Sequence, residues 1–347
     1  NTRSTVDDDG WATEFAIPLK SLSFNPNSDE WGINFYRRLA RKQETMGWIS
    51  RNRNQNPGIF GIAEGLSEMQ QGVGLDIVPS LSLHEFKQYS SRRMDSDIEP
   101  SLDIFYNLTS GLTGVLTLNT DFSATEVDDR QVNLTRFSLF FPEKRDFFLQ
   151  DADIFGFGGL GAYGGPDNNN ARPFFSRTIG LSPNREPVDL EGGLKLSGRV
   201  GRWNLGVLGV RQDAFQDVDA SSLFVGRVTA NVLRESSLGM IVTDGDPNSN
   251  DDNSVFGVDF YYLNTRLANG RSVEGNLWYE VSDTSGLYGE NAAFGVSTGA
   301  NTTEGLGGFV SYKAVEKNFR PALGFVSRLG IRNLEYSLHY IYRPTNS

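Results

Sequence analysis

The feature that most constrains this chain is a period-two alternation of apolar and polar residues, repeated in segment after segment, with almost no helical periodicity beside it. Leu102, Ile104, Tyr106 and Leu108 alternate with Ser101, Asp103, Phe105 and Asn107. Leu194, Leu196, Gly198 and Val200 alternate with Lys195, Ser197 and Arg199. Val273, Gly275, Leu277, Tyr279 and Val281 alternate with Glu274, Asn276, Trp278 and Glu280. The stretches from Val73, from Leu112 and from Glu335 repeat the pattern. Successive side chains of a strand point to opposite faces, so each segment predicts a strand with one apolar and one polar face, and the chain reads as all-β.

A soluble sandwich alternates in the same way. Length and charge separate the two cases. The segments run to about 9–11 residues, the length a tilted strand needs to cross a bilayer, where soluble strands average about 5–6. Their polar faces carry Lys195, Arg199, Glu274, Glu280 and Arg343, as a wet lumen would. Tyr261 with Tyr262 and Tyr340 with Tyr342 fall towards strand ends, where interfacial aromatic girdles sit. A hydrophobic content of 38% is low for a soluble core. It suits a barrel wall, because only every second residue meets lipid. No run of about 18 apolar residues offers a transmembrane helix. The expectation is a fragment of an antiparallel up-and-down transmembrane β-barrel, with outer-membrane lipid as its surroundings.

The chain has no cysteine, which excludes disulfides and thiolate metal sites. A net charge of −11 argues against a nucleic-acid partner, since neutralising phosphates needs clustered Lys and Arg. Asn1 to Asp9 is polar and acidic, unlike a signal peptide, so either a signal has been removed or the chain starts inside a domain.

Connections alternate in length. Residues 83–98 read as a long loop and 109–111 as a short turn; 121–188 is very long and Gly201–Arg202 is a two-residue turn. Then 213–220 is long and 233–235 short, 244–253 long and 265–271 fairly short, and 282–291 long, after which the contrast fades. An up-and-down barrel gathers alternate connections at one rim, and in outer-membrane barrels the short turns are periplasmic. This puts residues 1–70 on the periplasmic side and 121–188 at the outer end. Roughly thirteen or fourteen strands are legible by this alternation. Pro344 to Ser347 lacks the aromatic ending usual for such barrels, which predicts a barrel continuing past this fragment.

In residues 1–70, Trp11, Thr13, Phe15 and Ile17 share a face, as do Trp31, Ile33 and Phe35. A basic run follows at Arg37, Arg38, Arg41 and Lys42, and Trp48 precedes Arg51 and Arg53. Gly10-Trp11, Glu14, Ala16-Ile17-Pro18-Leu19, Trp31-Gly32-Ile33-Asn34-Phe35 and Arg37-Arg38 resemble the closing strands of a family-9-like carbohydrate-binding β-sandwich. The resemblance covers the C-terminal third of such a domain. It implies carbohydrate contact by Trp11, Trp31 and Trp48; the competing assignment makes the same tryptophans core residues.

The segment from Thr120 to Asp153 is dense in charge. Asp121, Glu126, Asp128, Asp129, Arg130, Arg136, Glu143, Lys144 and Arg145 are interleaved with Phe122, Phe137, Phe140, Phe141, Phe147 and Phe148. Charges cannot face lipid, since one at mid-bilayer costs about 2–4 kcal/mol even in a barrel. The segment is therefore expected to fold inward as a plug or constriction, with a plain extracellular loop as the alternative. Asp121-Phe122-Ser123, Gln131-Val132-Asn133-Leu134, Phe140-Phe141-Pro142-Glu143-Lys144-Arg145, Phe174-Phe175-Ser176-Arg177 and Gly324-Phe325-Val326 resemble an uncharacterised bacterial family. In that family a family-9-like carbohydrate-binding domain precedes a large outer-membrane-type β-barrel of unknown function. The resemblance implies fold and location but no activity.

Three functions remain open. One is binding and passage of a glycan or related substrate, with an oligosaccharide or peptidoglycan as partner. The second is an outer-membrane hydrolase using carboxylates of the insertion (Asp121, Glu126, Asp128, Asp129 and Glu143), since glycoside hydrolysis needs two carboxylates about 5–10 Å apart. The third is a structural or assembly barrel. No catalytic constellation is legible, and His84 and His339 read as ordinary polar positions. Asp244, Asp246, Asn248, Asn250, Asp251 and Asp252 offer oxygens for calcium but lack the EF-hand glycine and glutamate.

Overall fold

A computed structural model describes residues 2–8, 10–19, 28–49, 60–66, 74–88, 93–120, 140–160, 170–183, 186–268, 271–302 and 304–343. The first part of the chain forms short strands β1 (Thr2–Asp7), β2 (Gly10–Phe15), β3 (Trp31–Ile33), β4 (Tyr36–Leu39), β5 (Glu44–Gly47) and β6 (Gly61–Ala63). They pair as three two-stranded units, β1–β2, β3–β6 and β4–β5.

The rest is one antiparallel sheet of 12 strands in which every strand pairs with its neighbours in sequence. These are β7 (Leu75–Gln88), β8 (Arg93–Thr109), β9 (Leu112–Thr120), β10 (Leu190–Val200), β11 (Trp203–Gln212) and β12 (Ser221–Val232). They continue as β13 (Ser236–Asp244), β14 (Asn253–Asn264), β15 (Arg271–Thr284), β16 (Ala292–Thr302), β17 (Gly305–Val315) and β18 (Ile331–Ile341). This is the up-and-down meander of a barrel wall. Among the described residues β7 and β18 do not pair with each other, so the wall is open.

Two expectations need correction. The stretch 83–98 is not a loop: β7 runs to Gln88, β8 resumes at Arg93, and Leu83 lies opposite Ile98. Backbone pairing beyond an apolar band needs no apolar alternation, which is why the sequence hid it. Among the described residues the sheet has 12 strands, where thirteen or fourteen were expected. Residues 316–330 form a loop whose Phe325 bridges Arg172. With 303–304 short and 316–330 long, the alternation of rims continues to the last strand.

Register lines up the two faces across the wall. Val200, Trp203, Ala230, Leu238, Phe260, Leu277, Val296, Tyr312 and Leu334 follow one another as cross-strand partners from β10 to β18. The adjacent row on the opposite face reads Arg199, Asn204, Thr229, Gly239, Asp259, Trp278, Gly295, Lys313 and Asn333. The first row is open to the surroundings: Leu277 is 57% exposed, Val296 49% and Leu334 61%. The second faces the chain's own insertion, and Lys195, Arg227, Glu280 and Trp278 on that inner face are buried. Tyr261 is an inner-face residue, in phase with Asp259, and so is not part of an aromatic girdle; Tyr340 is outward and 70% exposed.

Candidate functional site

The insertion between β9 and β10 supplies the core. Its apolar side chains Phe147, Phe148, Phe155, Phe157 and Ile179 are buried with Leu208, Val225, Ile241 and Trp278 of the wall. Two arms are tied together at Glu143. Arg145 donates through Nε to Oε1 at 2.8 Å and through a terminal nitrogen to Oε2 at 2.8 Å, and Ser176 Oγ donates to Oε2 at 2.6 Å. The same guanidinium donates to the carbonyls of Ile179 (2.6 Å) and Ser176 (2.8 Å) and lies 4.3 Å from the Phe148 ring centroid. The second arm is tied to the 316–330 loop. Arg172 and Phe325 exchange backbone hydrogen bonds of 3.0 and 2.9 Å. Asn170 accepts from the amides of Ser327 (2.8 Å) and Arg328 (3.1 Å).

From a short helix α1 (Asp146–Leu149) onward, the segment crosses the inner face strand by strand. Lys195 of β10 donates to the Phe147 carbonyl, and to that of Gln150 at 2.8 Å. Ser197 donates to Asp151 at 2.8 Å, and Arg199 pairs with Asp153. Gly206 of β11 leaves room for Phe155: a Cβ there would sit 2.9 Å from the ring. Gly257 of β14 does the same for Phe157, at 2.8 Å. Arg227 of β12 grips Asp259 of β14 with two hydrogen bonds, 2.6 and 2.9 Å, and lies 5.5 Å from the Phe157 centroid. Asp259 also accepts the Gly158 amide at 3.0 Å. Glycines where rings dock and charges where carbonyls need donors make the inner face complementary to this segment.

Between the segment and the wall lies a cavity of about 1350 Å³ that reaches the short-turn end, where Arg234, Glu235 and Ser236 line it. Its sides are phenylalanines of the insertion and polar inner-face residues of β11, β12, β14 and β15. Among the described residues three buried polar atoms of side chains lining it have no hydrogen-bond partner: Arg172 Nε, Arg227 Nε and Asn276 Oδ1.

Of the charge cluster anticipated from sequence, Glu143, Lys144 and Arg145 fall within the described residues. Glu143 and Arg145 form the interlock above, and Lys144 donates its amide to Glu143 at 2.9 Å. Asp121, Glu126, Asp128, Asp129, Arg130 and Arg136 lie outside them. Burial pushes the Glu143 carboxyl up, but hydrogen bonds and charge from Arg145, with the Ser176 hydroxyl, bring it down to about 2. Such a group is an ion at neutral pH and unsuited to donate a proton as a glycosidase acid would. In the 244–252 loop Asp246 serves Asn248 and Ser249 and the Arg320 guanidinium (3.2 Å). Among the described residues no three acidic or histidine side chains are arranged to hold a metal ion.

Trp11 and Trp48 are 57% and 59% exposed, while Trp31 is half-buried. Trp11 lines a cleft of about 410 Å³ with Tyr36, Arg37, Arg38 and Arg41. Trp48 packs against Phe35, with centroids 5.8 Å apart. Arg227, Asp259 and Asn276 are functional-site residues that sequence reasoning passed over. A single charge in the inward phase of an otherwise apolar strand, as at Asp259, was the available signal.

Residues 72–209 match a family described as a domain of unknown function, DUF5916. The match begins after the short strands β1 to β6. No curated protein matches the sequence. Among solved structures the chain is similar to in-vitro folded OmpT, an outer membrane protein of Vibrio cholerae, at 9% identity and a TM-score of 0.35, over 76% of this chain and 95% of that one. The trimer form of the same protein matches at 10% identity and a TM-score of 0.29, over 77% and 98%.

Proposed function

We propose that this chain is the wall of an outer-membrane β-barrel whose lumen is closed by the insertion between β9 and β10, and that a solute passes when that segment is displaced. The observation that carries the reading is the apolar outer face. A sheet in water buries its apolar side chains and leaves polar ones outside. Here the inner face already buries Leu208, Val225 and Ile241 against the insertion and holds the charges, yet the outward row from Val200 to Leu334 is apolar too, the arrangement that lipid outside would stabilise. The short turns then mark the periplasmic rim, and the cavity beneath the insertion faces that side.

Thr120 and Leu190, which flank the insertion, are direct cross-strand partners. A tight turn can therefore replace residues 121–189 without unlacing the sheet. Single-channel recording in a planar bilayer tests the proposal. The intact protein should be silent and the shortened one should conduct. Two silent proteins would remove passage from consideration.

A second reading concerns residues 1–70. Exposed Trp11 beside Tyr36 and three arginines offers an aromatic platform with hydrogen-bond donors, the means by which a glycan is held. Retention of the protein on purified peptidoglycan sacculi should fall at least several-fold with Trp11→Ala. Equal retention of the two proteins would end the glycan reading.

A further inference from the structure

The cavity under the insertion has an uneven charge. Four carboxylates line it, and each has its own guanidinium: Glu143 with Arg145, Asp153 with Arg199, Glu235 with Arg266 and Asp259 with Arg227. Two further arginines line the same space, Arg172 and Arg234, and neither has a carboxylate partner among the described residues. Arg234 stands exposed on the short turn at the mouth. Arg172 lies deeper, its guanidinium 4.9 Å from the Phe140 centroid and donating to the Leu160 carbonyl at 3.3 Å. Burial lowers the Arg172 pKa, which marks a cation partly stripped of water.

The insertion's side of the cavity is rich in aromatic rings. Phe140 stacks on Phe175 at 4.8 Å, and Phe155 meets Phe174 at 5.6 Å. Two positive charges with no carboxylate partner among the described residues, set against flat apolar sides, describe one kind of ligand.

We propose that this cavity is a binding site for an organic anion, a carboxylate or sulfonate carried on a flat apolar body, entering from the short-turn end with its head towards Arg234 and Arg172. The body lies against the phenylalanines and the head is held by the charge of the two guanidinium groups. This names the substrate class of the closed lumen and rests on residues 140–160 and 170–182 lying inside it, but binding is measured without any passage.

The test is isothermal titration of the folded protein in non-ionic detergent with 2-naphthoate, and with 2-naphthylmethanol as the uncharged counterpart of the same shape. Detergent alone supplies the blank. Naphthoate should saturate at one site and bind at least about tenfold more tightly than the alcohol. Arg234→Gln should weaken naphthoate about tenfold, the loss expected from one charge-assisted hydrogen bond, and leave the alcohol unchanged. Arg172→Gln should do the same. Should that buried substitution fail to fold, Arg234 on its exposed turn still decides the matter. Equal affinity for acid and alcohol, no saturable binding, or an unaltered Arg234→Gln would overturn the site. Naphthoate binding with two silent channels would retain the site and remove passage; a conducting deletion without naphthoate binding would do the reverse.

Discussion

Glu143 shows how one residue links this fold to acidity. Its carboxyl sits at about 2 in the folded protein, below the ordinary 4.5, because Arg145 and Ser176 outweigh the effect of burial. A carboxyl depressed by folding stabilises the folded state fully above its unfolded pKa, and that contribution fades as pH falls through the folded value. Glu143→Gln should therefore cost roughly 3 kcal/mol at pH 7, since a tenfold difference in acidity between the folded and unfolded chain is worth about 1.4 kcal/mol. The gap between the two proteins should narrow below about pH 4.5 and vanish near pH 2. Denaturant unfolding across that pH range measures it. A gap that stays constant would mean that Glu143 acts by packing alone. Arg227 and Asp259 obey a related rule. Both are nearly buried, at 3% and 11% side-chain exposure. Removing one partner of such a pair leaves an unmatched charge, which costs more than the pair contributes.

At the scale of a strand, the question is what surrounds the wall. Leu277 on β15 is outward and 57% exposed, between Phe260 and Val296. In water, Leu277→Arg would change stability by less than about 0.5 kcal/mol, as surface substitutions do. In a bilayer it should cost about 2–4 kcal/mol if the residue lies near the midplane. Urea unfolding from phospholipid vesicles, compared with Ser297→Arg on the inner face of β16, separates these cases. No cost at Leu277 would contradict the lipid-facing assignment. The glycines obey an element-scale logic too. Gly206 and Gly257 are where strands yield width to Phe155 and Phe157, so these two rings dock close to the backbone.

For the molecule as a whole, the strands and their rims were legible because both depend on local pattern. The phases of β8, β10, β15 and β18 were read correctly from residues such as Ile104, Leu196, Leu277 and Leu338, and Lys195, Arg199, Glu274 and Glu280 do take the inner face. What stayed hidden depends on partners far apart in sequence. Nothing near Asp259 announces Arg227 or the amide of Gly158, and nothing near Asn170 announces Ser327 and Arg328. The outer stretch of the β7–β8 pairing, beyond Leu83 and Ile98, was hidden because its sequence lacks an apolar alternation to advertise it. One feature also governs how the chain assembles. Every pairing of neighbouring strands closes a short or moderate loop except β9 with β10, which must close residues 121–189. Loop-closure entropy puts that pairing at a disadvantage of roughly 2.5 kcal/mol against a four-residue turn. The meanders β7–β9 and β10–β18 are thus free to zip first, each from local hairpins. The seam between them is the last to knit, and it knits around a cargo that must already be aboard.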